Sequence, residues 1–161
     1  MGIVRTGDWN KVGNIVSNLS KIAVESRDIA LKNFALKGEA VAKQHISNQD
    51  LGWVPLKVET INQKVKKGLS TNILISTSTY FQSITSKVVN KTAYAGVVRG
   101  VMSGDGKTQL VDIAPVHEFG SSSARIPARP LWKPTLQECL EWSVKNNNPA
   151  KIFMDKLKRL V

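Results

Sequence analysis

The chain of 161 residues has one cysteine, two histidines and few acidic residues, and each shortage removes a class of function. The single Cys139 excludes a disulfide framework within the chain and agrees with assembly in a reducing cytoplasm. His45 and His117 are too few for a metal site of convergent ligands, and the scattered acids offer no close pair suited to hydrolysis. No apolar run reaches the roughly 18 residues of a membrane span, and the N-terminus lacks the apolar core of a signal peptide.

Motifs for catalysis are also lacking. Cys139 and His117 are a conceivable nucleophile–base pair, but Cys139 falls at a core-facing position of a predicted helix, which favours a packed thiol. The triplet Gly106-Lys107-Thr108 is not a phosphate loop, because valine occupies position 101 where the upstream glycine is needed. The sequence therefore predicts a protein that is not an enzyme and that uses no cofactor.

Positive charge is abundant, with 23 lysines and arginines against 12 acids and a net charge of +11. The excess is concentrated in residues 51–110, which contain eight basic and two acidic side chains. Lys64, Lys66 and Lys67 lie together on a predicted short helix from Glu59 to Lys67. Such a surface either faces a polyanion or is simply solvated, and charge alone does not separate these interpretations.

Hydrophobic spacing predicts helices at both ends of the chain. Apolar residues at helical intervals follow Asp8, a plausible N-cap, and form either one long helix or two helices joined near residues 17–21. Pro134 and Pro149 can each open a C-terminal helix. The last helix is either docked on its own domain or offered to a neighbour.

The middle of the chain has a β pattern. Short apolar runs at residues 73–75, 83–90, 93–102 and 108–116 predict three or four antiparallel strands. The segment Gly104-Asp105-Gly106 between the last two runs predicts a hairpin turn. The fold class is therefore α+β, with a long N-terminal helix packed on a small antiparallel sheet. One domain over 1–161 divides into a helical part (8–47), a sheet part (70–120), an arm (120–133) and C-terminal helices (134–161).

The most distinctive segment is the arm and its flanks, residues 113–134. Pro127, Pro130 and Pro134 argue against a helix interior, whereas the large apolar Leu131 and Trp132 argue against a floppy linker. An ordered, extended arm is predicted, and such segments are often docking sites. Arg129 either forms a forked pair with a carboxylate of a neighbouring molecule or pins the arm within its own chain.

Two runs in this region, Ala114-Pro115-Val116-His117-Glu118-Phe119-Gly120 and Ile126-Pro127-Ala128-Arg129-Pro130-Leu131, resemble tail-completion and neck proteins of tailed phages. Upstream, Trp53-Val54-Pro55-Leu56 and Ser83-Ile84 resemble further landmarks of that family in the same order. The chain departs from the family pattern at Ile113, where an aromatic is common, and in lacking the usual glycine before Ser83.

The resemblance implies a non-enzymatic virion subunit, assembled in the host cytoplasm, that forms a ring of often six copies at the head–tail junction or tail end. Its partners would be copies of itself, neighbouring neck, portal-side or tail-tube proteins, and DNA passing through the channel, with no membrane. The alternative is a basic nucleic-acid-binding module without catalysis. The predicted subunit interface comprises Glu118, Phe119, Gly120, Ile126, Pro127, Arg129, Pro130, Leu131 and Trp132. Glu118 is one candidate partner for Arg129 of a neighbour, and Lys64, Lys66 and Lys67 are the candidate DNA-facing residues.

Overall fold

A computed structural model describes residues 7–159 and confirms the predicted α+β class. The elements, in chain order, are α1 (Trp9–Asn48), α2 (Val58–Lys66), α3 (Thr79–Ser83), β1 (Ile84–Val89), β2 (Thr92–Val97), α4 (Leu110–Phe119), α5 (Trp132–Asn146) and α6 (Pro149–Lys158). No helix among these residues is long and apolar enough to cross a membrane.

The N-terminal helix α1 is one continuous helix of 40 residues, about 60 Å long at 1.5 Å per residue. Asp8 caps it as predicted, because its carboxylate accepts a hydrogen bond from the backbone N–H of Lys11 at 2.9 Å. The alternative of two helices joined near residues 17–21 is wrong. The helix ends at Asn48, and the left-handed conformation of the following residue, Gln49, turns the chain away from the helix axis.

The other elements pack along the second half of α1. The helices α5 and α6 run back beside it, so Glu138 reaches Lys37, Asn147 reaches Ala30, and Lys156 reaches Glu25. The strands β1 and β2 cover a neighbouring face, where Ser86 donates to Glu39. The core cluster lies near the C-terminal end of α1 and consists of Ala42, Ile46, Trp53, Tyr80, Ile84, Leu110 and Leu131.

The sheet is a single two-stranded antiparallel hairpin in the described part of the chain, so the prediction of three or four strands is wrong. The turn is Asn90-Lys91, and both residues have positive φ, as a type I′ hairpin turn requires. The predicted turn at residues 104–106 lies in a loop that is closed by one isolated antiparallel bridge, between Met102 and Gln109. The apolar run 73–75 forms a turn rather than a strand, with Leu74 at φ 60°.

The segment predicted as the last strand, residues 108–116, is instead mostly the helix α4. Leu110, Ile113, Ala114 and His117 recur at helical spacing, and the first three contact the core. Pro115 lies inside this helix but is exposed, and it removes only one hydrogen bond from a ten-residue element. The prediction that residues 113–134 are not part of a helix was therefore wrong for residues 113–119.

The C-terminal helices begin at or near the prolines that predict their starts. The side chain of Asn148 accepts from the N–H of Ala150, and Pro149 occupies the first turn of α6. The helix α6 is docked on α1, which is one of the two alternatives that the sequence left open. The helix α5 begins at Trp132, two residues earlier than predicted, and buries Thr135 and Cys139.

Candidate subunit interface and basic surfaces

Residues 129–131 of the predicted arm are buried against, or hydrogen-bonded to, other segments of the same chain. Arg129 is only 8% exposed, its backbone N–H donates to the carbonyl of His117 at 2.7 Å, and its Nε lies 3.4 Å from the carbonyl oxygen of Val54. Leu131 is 1% exposed, and Trp53 donates its indole N–H to the carbonyl of Pro130 at 2.9 Å. The arm is ordered, as the prolines and apolar residues predict, but the guanidinium of Arg129 is not offered on the surface.

Glu118, the predicted partner of a neighbour's Arg129, is also engaged internally. Its carboxylate accepts three backbone N–H bonds, from Leu131 at 2.7 Å, Trp132 at 3.0 Å and Lys133 at 3.2 Å. These N–H groups form the N-terminus of α5, where a negative charge also complements the helix dipole. Glu118 is engaged within the protomer and the side chain of Arg129 is buried, so the predicted Arg129–Glu118 pairing between copies is corrected.

The outer part of the arm is a small closed loop. Ser121 and Ile126 exchange two backbone hydrogen bonds of 2.8 Å, which bring the ends of the loop together. Gly120 enters it at φ 76°, and a Cβ there would lie 2.8 Å from the backbone nitrogen of Ala128. Gly120 is therefore needed for a close backbone approach, which is a role inside the protomer.

The exposed members of the predicted interface are Phe119 and Pro130. Phe119 is 80% exposed although it is a large aromatic residue at the end of α4. Gly120, Ile126, Pro127 and Trp132 are partly buried. A neighbour that contacts this region would therefore meet Phe119 and the rim of the loop rather than Arg129 or Leu131.

Two apolar stripes that the sequence analysis did not assign to an interface are also exposed. The N-terminal stripe consists of Val12, Ile15, Val16 and Leu19 on the first third of α1; Val12 is 48% and Val16 61% exposed, whereas Ile15 and Leu19 are half-buried. The α5 stripe consists of Leu136, Leu140 and Val144, which are 53%, 52% and 79% exposed. The helical spacing of both stripes was visible in the sequence, but it gave no sign that these faces are left uncovered.

The α5 stripe borders an apolar cavity between α1, β2 and α5. This cavity of about 290 Å³ is lined in part by Phe34, Tyr94, Trp132 and Cys139. Cys139 is 1% exposed, and burial raises the pKa of its thiol, which confirms the predicted packed thiol. His117 lines a different cavity, so the conceivable Cys139–His117 pair is not brought together. Within residues 7–159, no group of three or more His, Cys, Asp or Glu is arranged to hold a metal ion.

The candidate DNA-facing lysines divide into two kinds. Lys66 and Lys67 are exposed at the end of α2. Lys64 is half-buried, and its ammonium donates to the backbone carbonyls of Asn72 and Ile75 at 2.8 Å each. Burial lowers the pKa of Lys64, and the Arg129 guanidinium lowers it further. Lys64 is therefore part of the protein body rather than a freely mobile surface charge.

A further basic surface lies on the outer face of the hairpin, opposite α1. Lys87 and Tyr94 are direct partners in the strand register, and both are exposed. They line an open groove of about 470 Å³ together with Thr85 and Arg99. The groove places two cations beside an exposed aromatic ring.

Searches against protein-family models, curated proteins and solved structures find no match to this chain.

Proposed function

We propose that this chain is a structural subunit that assembles with copies of itself into a ring, of the kind found in the tail-completion and neck proteins that its sequence resembles. The observation that carries the proposal is the pair of exposed apolar stripes on α1 and α5. Exposed, contiguous apolar surface of this kind is typical of protein–protein contact sites. In this role the ring would lie at the neck or tail end of a virion.

The amount of exposed surface supports an assembling subunit. The chain has an accessible surface of 11053 Å², whereas a compact monomer of 17.7 kDa is expected to expose about 7,900 Å². In the first third of α1 no residue is buried, so this part of the helix adds to the exposed surface. A helix that carries an apolar stripe beyond its own core gains stability when another molecule covers that stripe.

The positions of the stripes are suited to a head-to-tail contact between copies. Lys37, which pairs with Glu138 of α5, marks the level of the α5 stripe on α1. Val16 lies 21 residues earlier, about 30 Å away along the helix axis. Two different patches on one subunit match a head-to-tail contact, and such a contact repeats into a closed ring when its rotation closes.

The proposed contact places the N-terminal stripe of one copy on the α5 stripe of the next. The two stripes have similar lengths, since Val12 to Leu19 and Leu136 to Val144 each cover about two helical turns. The apolar cavity beside Leu136 offers additional surface for burial. Phe119 and the rim of the arm loop would then contribute a second contact region.

Paired variants test this arrangement. We expect wild-type protein to sediment as a closed oligomer, whereas Val16→Asp and Leu140→Asp each sediment as folded monomers because a buried carboxylate opposes the contact. The controls Asn18→Asp and Gln137→Asp add the same charge at exposed positions outside the two stripes and are expected to leave the oligomer intact. Electron microscopy of the wild type gives the number of copies.

Mixing the two variants tests whether the N-terminal stripe of one copy contacts the α5 stripe of another. Each variant retains one intact stripe, so an equimolar mixture forms a single good contact and is expected to stop at a heterodimer at high protein concentration. A wild-type monomer at the same concentration, or a Val16→Asp protein that still forms the full oligomer, would reject the proposal.

The alternative, a basic nucleic-acid-binding module, is favoured by the groove on the outer face of the hairpin. Lys87 and Arg99 can neutralise phosphates, and the exposed ring of Tyr94 can stack on a base. Under this alternative, a monomer binds single-stranded DNA with a strong salt dependence, and Lys87→Gln reduces the slope of log K against log salt by about 0.7. Oligomers of wild-type protein that bind DNA only weakly would instead agree with a ring whose basic surface lines a channel.

A further inference from the structure

A third cavity of about 260 Å³ lies between α2, α4 and the arm. Its lining combines apolar side chains, among them Leu56, Leu110 and Ile113, with three basic groups, Lys64, His117 and Arg129. Five hydroxyl-bearing residues complete the polar part of the lining: Ser76, Thr77, Thr79, Tyr80 and Ser103. The three basic groups come from three separate segments of the chain. The fold therefore brings two cations, Lys64 and Arg129, and the imidazole of His117 to the lining of one recess.

The two cations of this cavity, Lys64 and Arg129, share its lining with no opposite charge from the described part of the chain. No aspartate or glutamate is among the described residues that line the cavity. Burial lowers the pKa of Lys64, of His117 and of Arg129, and the Arg129 guanidinium lowers the pKa of the other two further. Like charges held together in a half-buried site are costly unless an anion joins them.

Hydrogen-bond donors in the cavity are partly unused. The ammonium of Lys64 gives two protons to the carbonyls of Asn72 and Ile75, which fixes its position and leaves one proton for another acceptor. Arg129 uses only its Nε, in a long contact to Val54, among the residues of the described chain. The buried Nδ1 of His117 has no hydrogen-bond partner within residues 7–159.

We propose that this cavity binds a carboxylate carried on a small apolar body, with the guanidinium of Arg129 and the ammonium of Lys64 as its ligands. A planar guanidinium matches a carboxylate through two parallel N–H bonds. The leucine and isoleucine side chains of the lining offer burial to a hydrocarbon group, which a free phosphate lacks. This inference is independent of ring assembly, because every group that it uses belongs to one protomer.

Titration of the wild-type protein with hexanoate tests the proposal directly. At constant ionic strength and pH 7, we expect a saturable shift of the Arg129 Nε–H signal in ¹⁵N-resolved NMR spectra. Acetate lacks the apolar body and hexanol lacks the charge, so each is expected to bind about tenfold or more weakly than hexanoate. Phosphate is expected to shift this signal less than hexanoate does.

Two variants on α2 provide a matched comparison. We expect Lys64→Met to weaken hexanoate binding about tenfold, whereas Lys66→Met, which removes an exposed charge of the same helix, leaves it unchanged. Lys64→Met also frees two carbonyls and could disturb the loop at residues 72–75. The wild-type titration therefore remains the decisive measurement, since it does not depend on any variant.

The source of the carboxylate is distinguished by a second probe, a blocked tripeptide with glutamate between two leucines. Binding of the tripeptide at the same signals indicates an acidic side chain of a protein partner, and binding of hexanoate alone indicates a small carboxylic acid; both support the carboxylate site. Absence of a saturable shift with both probes, or equal shifts with hexanol or phosphate, would overturn it.

Discussion

The two parts of α1 have the same kind of apolar spacing but opposite surroundings. From Ile22 to Ile46, the helix buries eight residues against α5, α6 and the hairpin. From Trp9 to Lys21, no residue is buried, although Val12, Ile15, Val16 and Leu19 repeat at helical intervals. The comparison teaches that helical spacing identifies a face suited to burial, but it does not say which molecule buries it.

The composition of the two parts differs in a way that agrees with this division. The packed part contains Ala30, Ala35, Gly38 and Ala42, and a Cβ at Gly38 would lie 3.0 Å from the Cβ of Ala95. Small residues allow the strand and helix to approach closely, so the packed part is fitted to its neighbours. The projecting part has larger branched side chains at its stripe and no such fit within residues 7–159.

The largest expected effect comes from truncating one apolar side chain in each part. Ile46 is fully buried in the core, so Ile46→Ala is expected to lower the free energy of unfolding by about 2–5 kcal/mol. Val16→Ala, in the projecting part, is expected to change it by less than about 0.5 kcal/mol for the monomer. Urea unfolding at protein concentrations too low for assembly measures both.

Equal losses of unfolding free energy in Ile46→Ala and Val16→Ala would break the comparison, because the projecting part would then belong to the core. A concentration-dependent effect of Val16→Ala, seen only where oligomers form, would sharpen it.

An intermediate effect is expected at the polar contact that anchors α5 to the packed part. Asn147 is 2% exposed and donates its Nδ2 proton to the carbonyl of Ala30 at 2.7 Å. Asn147→Ala removes this bond and leaves the amide of Asn33 without its 3.2 Å acceptor, so a loss of about 1–3 kcal/mol is expected in thermal or urea unfolding. Asn146→Ala, at the exposed neighbouring position, is the control and is expected to cost much less.

The smallest expected effect is a pH dependence in the packed part. Hydrogen bonds from Lys43 and then Ser86 hold the pKa of Glu39 below its usual value. A lowered folded-state pKa means that Glu39 stabilises the fold above its unfolded pKa and loses this contribution as the pH falls through the folded value. Glu39→Gln is therefore expected to remove less than about 1 kcal/mol at pH 7 and to flatten the acid side of the stability profile.

Urea unfolding between pH 3 and pH 7 checks this expectation, with Glu59→Gln on the exposed surface of α2 as the control. If the wild-type and Glu39→Gln profiles remain parallel over this range, the ionised carboxylate of Glu39 contributes nothing to the pH dependence of the unfolding free energy.

Local sequence rules predicted where helices begin better than they predicted whether a segment in the middle of the chain is a helix or a strand. Asp8 and Pro149 act as the cap and the helix starter that their chemistry indicates. The helix α4 was missed because residues 108–116 were assigned to a strand beside the Asp-Gly turn, although Leu110, Ile113 and Ala114 recur at helical spacing. The hairpin turn was misplaced because Asp-Gly is the stronger local signal, whereas strand pairing across Asn90-Lys91 depends on the packing of β1 and β2 against α1.

The candidate site was predictable only in part for a related reason. Arg129, Glu118 and Lys64 were recognised as important polar residues, but their partners are backbone groups more than ten residues away or in other segments, which no local pattern reveals. The order of the arm followed from its prolines and apolar residues. The direction in which its side chains face depends on tertiary packing.

The small closed loop between Ser121 and Ile126 makes the arm tolerant of inserted residues. Because two hydrogen bonds close its base, the exposed residues 122–125 can be lengthened without moving Glu118 or the start of α5. A fluorophore or an epitope inserted after Ser123 would be carried outside the body of the subunit. This position is therefore a natural attachment point for a reporter that follows the protein without altering its shape.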